Sequence, residues 1–178
     1  MNFIDKDLVS VQESRVLLER AAEARDTLAG YPQERLDAVA EAVNQAIAGR
    51  LLEFAGWSVE ETGYGCLEDE VCQMEQLLCA QMKKLREMVC VGMIHEDEQL
   101  RTRDIGIPMG IAVVLCPAVS PAAAVASLAL TCIKSGNAAV FIPPARAVRT
   151  VNRVIRAIKD AAAAAGYPIG AISCPETV

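Results

Sequence analysis

The residues that invite a chemical reading fall in a few short stretches. In LCPAVSPAAAVA, residues 115–126, an apolar run passes through Cys116, Pro117, Ala118, Val119 and Ser120 into Pro121 and a series of alanines. A strand that turns in this way into a helix presents backbone N–H groups at the helix start, and small side chains let an anion or a flat ligand come close to them. The same alanines let a helix lie tight on a sheet, and composition alone favours that plainer role. Cys116 could serve as a thiolate nucleophile. Against this, no His, Lys or Arg stands near it in sequence, and free cysteines commonly behave as small buried hydrophobes.

Other polar groups weaken on the same test. Arg146, Arg149, Arg153 and Arg156 could meet a phosphate, yet they lie opposite the apolar stripe Val148, Val151, Ile155, Ile158 and Ala162, which marks a solvated helix face. Arg146, at the helix start, is the one reasonable ligand contact. Glu68, Asp69 and Glu70 suggest acid–base work, but at the head of a helix they compensate its dipole. His95, among Glu96, Asp97 and Glu98, reads as a surface residue. Seven cysteines (66, 72, 79, 90, 116, 132 and 174) form no CxxC pair, and with one histidine a tetrahedral zinc site would need distant parts of the chain, so no metal site is expected. Neither GxGxxG nor GxxxxGK[ST] occurs.

Several elements must hold these residues. Ser10 with Glu13 has the capping-box pattern, and Leu17, Ala21, Ala24 and Leu28 recur at helical spacing until Gly30. Pro32 opens a second helix with the stripe Leu36, Val39, Val43 and Ile47, and a third covers 51–61. In EETGYGCLEDE, residues 60–70, Gly63 and Gly65 suit a tight bend around Tyr64. A fourth helix then carries Val71, Met74, Leu78, Leu85 and Val89 as its apolar face. Residues 95–104 read as a polar loop, followed by a strand pair or bent strand and a buried strand over 111–116. Ser120 suits an N-cap and Pro121 the first position of a helix ending at Gly136. AAVFI is a second buried strand, 145–165 a further helix stopped by Gly166 and Pro168, and IGAIS a third strand. The prediction is α/β: an N-terminal helical region over 1–100, then a partial Rossmann-like βαβαβ parallel sheet over 101–178 with right-handed crossovers.

Bulk properties narrow the partners. The 178 residues are 53% hydrophobic and 22% charged, enough for a sizeable core. A net charge of −6 argues against nucleic acid or an anionic membrane as partner, and the sparse aromatics discourage base stacking. Pro117 and Pro121 break the longest apolar stretch, so no membrane span is expected, and the cysteine usage suggests a reducing, cytoplasmic setting.

The stretches EETGYGCLEDE, GIPMGIAVVLCPAVSPAAAVASLALTCIKSGNAAVFIPPARA and AIKDAAAAAGYP together resemble the first part of an aldehyde dehydrogenase of the CoA-acylating (acetaldehyde dehydrogenase) branch. That branch has E-[ST]-G-x-G-x-x-E-D, a P-x-G turn, P-T-T-N-P, Gly-Asn and S-P-H-P-R-A in this order. The matching positions here are Glu61 to Gly65 with Glu68-Asp69, Pro108 to Gly110, Pro117 to Pro121, Gly136-Asn137 and Ile142 to Ala147. The resemblance implies an incomplete cofactor domain and an enzyme that forms a thiohemiacetal on a cysteine, passes hydride to NAD or NADP, and releases acyl-CoA. It places that cysteine and the catalytic domain in a segment beyond this chain. It implies cofactor contacts from Pro117, Ala118, Val119, Ser120, Ile142, Pro143, Pro144 and Arg146. Val119 and Pro144 depart from the family pattern by lacking side-chain donors, so cofactor binding is expected to be weak or absent. The expectations are therefore a chain inactive alone, self-associating or joined to the missing catalytic portion. The alternative is a non-catalytic assembly or scaffold module of the same fold.

Overall fold

Glycine and proline punctuation divides the first half of the chain into helices. In the computed structural model, which describes residues 6–176, α1 spans Lys6–Leu28, α2 Gln33–Ala48, α3 Leu51–Thr62 and α4 Leu67–Glu87. The bend between α3 and α4 needs both its glycines, for Gly63 and Gly65 take φ of 70° and 73°, where a Cβ is disfavoured. Ser10 is not a cap. The chain is already helical from Lys6, so Ser10 has no extended backbone from which to cap, and its carbonyl accepts the Ser14 hydroxyl at 2.9 Å. The stripes Ala21–Ala24–Leu28, Leu36–Val39–Val43–Ile47 and Met74–Leu78–Leu85 are buried as their spacing requires. Val89 falls beyond the end of α4 and is exposed.

The expected polar loop is a hairpin. Strands β1, Gly92–Asp97, and β2, Thr102–Gly106, pair antiparallel with an irregularity between Met93 and His95. Nearly every residue in them is exposed, so the alternation of buried and exposed positions that marks a strand is missing from the sequence.

Three further strands, β3 (Ile111–Leu115), β4 (Ala138–Ile142) and β5 (Ile172–Ser173), form a parallel sheet in the order β3-β4-β5. They are joined by α5, Pro121–Lys134, and α6, Val148–Ala164. The central strand β4 is buried along almost its whole length. The expected buried strand at 111–116 is instead an edge strand among the described residues, with Val113 59% and Leu115 77% exposed.

Crossover helices α5 and α6 pack on one another and on the sheet, α2 lies across both, and α4 rests on α5. Helix α1 covers the sheet, lying against β3, β4 and β5. Residues from α1 to α4 thus share one hydrophobic core with the sheet and its crossover helices. Two polar side chains inside that core are paired across elements. Lys134, 2% exposed, meets Asp37 at 2.5 Å, and the Tyr167 hydroxyl donates to the Asn137 carbonyl at 3.0 Å. Among the described residues, no helix is long and apolar enough to cross a membrane.

Candidate functional site

Parallel pairing brings the two predicted contact stretches together. Leu115 is in register with Ile142, and the Cys116 N–H donates to the Ile142 carbonyl at 2.9 Å, so the turns after β3 and β4 leave the sheet side by side. Pro117, Ala118, Val119 and Ser120 form one turn, and Ile142, Pro143, Pro144 and Arg146 line the other. Val119 is 61% exposed and Pro143 is buried. The resulting wall is apolar, suited to the face of a ring.

The helix starts behind that wall are already occupied by the chain's own acids. Ser120 precedes Pro121 in left-handed backbone, with φ 45° and ψ 50°, and makes no side-chain cap. Its hydroxyl points away from the helix, donating to Glu70 Oε1 at 2.6 Å with the Gln73 side-chain amide 3.0 Å away. The expected N-cap bond is lost because the left-handed backbone turns this hydroxyl towards α4. Glu70, expected only to offset a helix dipole, is 5% exposed, and its Oε2 has no hydrogen-bond partner. Gly65 permits this approach, since a Cβ there would lie 3.3 Å from Glu70 Oε1.

At α6 the substitution for an anion is more complete. The Glu61 carboxylate accepts the Arg149 N–H at 2.9 Å and the Thr150 N–H at 2.6 Å, and Arg149 Nε approaches to 3.4 Å. Burial pushes the Glu61 carboxyl up, but the hydrogen bonds from Thr150 and Arg149 outweigh it and hold the group below its ordinary value. Arg146 is exposed and donates to the Tyr64 hydroxyl at 3.1 Å, while Arg149, Arg153 and Arg156 face solvent as the helical stripe requires. Arg153 also lies over the Trp57 ring, 5.0 Å from its centroid. The bend at residues 61–70 therefore reaches both helix starts, across 50 positions at α5 and 82 to 89 at α6, pairings that no local pattern in the sequence announces.

This donor set suits the ring of a nucleotide better than its phosphates. Glu61 takes the N–H groups that a diphosphate would use at α6, and the cavity beside it, lined by Trp57, Glu60, Glu61, Arg149, Thr150 and Arg153, holds only about 30 Å³. Larger cavities lie elsewhere: about 230 Å³ beside Lys159, Tyr167 and Ile169, and about 650 Å³ between Tyr31, Gln33, Val89 and Met93. Cys116 does not act as a nucleophile here. It is 8% exposed, and burial pushes its thiol up to about 11, so it stays protonated near neutrality.

Comparison with known proteins places these features in a lineage. No family model matches the chain. A sulfoacetaldehyde dehydrogenase from an Acholeplasma species is 28% identical over 89% of the chain and 33% of its own length. An acetylating aldehyde dehydrogenase from Geobacillus thermoglucosidasius is 33% identical in its crystal structure, with a TM-score of 0.94 over 97% of this chain and 38% of that one. A probable aldehyde dehydrogenase from Listeria monocytogenes gives 34% identity and the same TM-score over 98% of this chain and 38% of its own. The chain spans about a third of the length of that sulfoacetaldehyde dehydrogenase and less than two fifths of either solved structure.

 Its match is to the first part of those proteins, in which a helical segment leads into a parallel sheet. By sequence and by fold, the chain is similar to the N-terminal part of CoA-acylating aldehyde dehydrogenases.

Proposed function

We propose that the chain is the cofactor-side portion of an NAD(P)-linked, CoA-acylating aldehyde dehydrogenase, an oxidoreductase of the cytoplasm, and that it has no turnover by itself. The observation that supports this reading is the correspondence of fold along 98% of the chain with an aldehyde dehydrogenase of which it spans 38%. Its own residues offer a wall of Pro117, Ala118, Val119 and Pro144 and one exposed cation, Arg146, but no reactive thiol at that wall. The purified chain should show no turnover dependent on aldehyde, CoA and NAD. Turnover that is abolished in Cys116→Ala would overturn the proposal.

A second reading, a non-catalytic assembly module that keeps this fold, is favoured by the carboxylates at the helix starts. Glu61 sits on the α6 N–H groups and Glu70 holds Ser120, so the positions where a phosphate would be met carry negative charge. Titration of NAD, NADP and CoA with observation of backbone amide shifts separates the two. Shifts beginning at Ala118 to Ala123 and near Arg146 support the cofactor-side portion, and silence at all three ligands supports the module.

A further inference from the structure

We propose that the cavity around Lys134 is a binding site for the zwitterion of an apolar α-amino acid. The inference is independent of the catalytic reading, because Lys134 closes α5 at the end opposite the strand-end turns, roughly 20 Å away by helix rise. The cavity holds about 240 Å³ between α2 and α4, with Lys134 lining it from α5. Its walls are helices of this chain, fixed against one another by the shared core. That volume is below what a drug-sized ligand occupies and suits a molecule of amino-acid size.

Polar capacity of both signs is left over in the lining. Lys134 is 2% exposed, and among the described residues its ammonium meets one hydrogen-bond acceptor, Asp37 Oδ1, so two of its three N–H groups have no protein acceptor. A buried ammonium left in that state is costly, and the cavity is where acceptors can reach it. A ligand carboxylate supplies them. Asp37 accepts both Lys134 and the Gln33 amide on Oδ1, which leaves Oδ2 for a donor. Arg86 meets Glu41 through Nε and Nη2 and keeps Nη1. The charged groups of the lining are thus Asp37 and Glu41 against Arg86 and Lys134, and they sum to zero. A lone carboxylate would add a third negative charge beside Asp37 and Glu41, and a lone ammonium would leave the Lys134 N–H groups unfilled. A carboxylate and an ammonium on one carbon answer both groups and keep the site neutral. Ala40, Met82 and Leu85 complete the lining, an apolar surface for a hydrocarbon side chain.

The test is titration of the 178-residue chain with leucine, followed through backbone amide shifts. Saturable shifts are expected at residues 37–41, 82–86 and 134, with dissociation in the micromolar to millimolar range. Isocaproate, which lacks the ammonium, isopentylamine, which lacks the carboxylate, and glycine, which lacks the side chain, should each bind about tenfold more weakly or worse. Lys134→Met should abolish binding. Because that variant also leaves Asp37 without its counter-charge, Arg86→Gln, at an exposed position, serves as the second, and should weaken leucine binding about threefold to tenfold. Absence of saturable shifts with millimolar leucine, or shifts confined to other residues, would overturn the proposal. So would equal affinity for leucine and isocaproate, which would make the cavity an anion site, and so would leucine binding unchanged in both variants.

Discussion

Glu61 shows how much one side chain decides at this site. Its carboxylate closes the start of α6 and ties the bend after α3 to that helix, with burial opposing its charge and hydrogen bonds from Thr150 and Arg149 prevailing. Glu61→Gln keeps the shape but loses the charge, and should cost about 1–2 kcal/mol in urea denaturation near neutral pH. Because the folded-state pKa lies below the ordinary value of 4.5, this contribution is fully present above that value and is lost as the pH falls through the folded-state pKa. The difference between wild type and variant should therefore shrink in acid. A difference independent of pH would mean that the amide bonds as well as the carboxylate does. The thiols give a second outcome at this scale. Burial pushes Cys116 and Cys132 up to about 11 and Cys174 up to about 12, whereas Cys66, Cys72 and Cys79 are exposed. Brief alkylation near neutral pH, read by peptide mass spectrometry, should label the exposed three first, and labelling of Cys116, Cys132 and Cys174 should accelerate only as the solution becomes strongly alkaline.

Elements were legible where burial left a period in the sequence. Helix α6 shows its stripe at 148, 151, 155, 158 and 162, and β4 reads as an uninterrupted apolar run between Asn137 and Pro143. The hairpin of β1 and β2 was not legible, since exposure of both faces removes the alternation that would reveal it. The two contact turns could be placed from the strand–helix order, but the acids that reach them could not. Glu61 and Glu70 find their partners through packing of α3 and α4 on the crossover helices, and no local spacing encodes that. The same packing explains Lys134 at the end of α5. Its ammonium is buried against Asp37 of α2, with the Gln33 amide 2.7 Å from the same carboxylate. Asp37→Ala leaves that ammonium without its counter-charge and should destabilise the chain by about 2–3 kcal/mol, less than for a fully buried pair because Asp37 is partly exposed. Replacing Lys134 by Met together with Asp37→Ala should recover part of the loss. Equal thermal midpoints for the single and double variants would show that the ion pair is not what matters.

At the scale of the whole molecule, the helical region and the sheet depend on one another. Helix α5 is apolar around most of its circumference, burying Ala122, Ala123, Val125, Ala126, Ala129, Leu130 and Ile133, because the sheet lies on one side and α2 and α4 on the other. Helix α1 supplies the other cover for β4 from the opposite end of the sequence. A piece comprising residues 101–178 would therefore expose the helix faces that α2, α3 and α4 now cover, together with the sheet surface beneath α1, and would leave Lys134 without Asp37. Loss of that much buried apolar surface exceeds the small margin by which a domain of this size is stable. The isolated piece is expected to lack cooperative thermal unfolding and dispersed amide signals, while the 178-residue chain should unfold in one transition seen alike by far-ultraviolet circular dichroism and by Trp57 fluorescence. Trp57 reports on α3, and circular dichroism on every helix, so separated transitions would reveal two independent units. A folded 101–178 piece would show that the crossover helices hold the sheet without the helical region, and coincident transitions would show that the bend carrying Glu61 and Glu70 is held in place by the same cooperative core that forms the strand ends it faces.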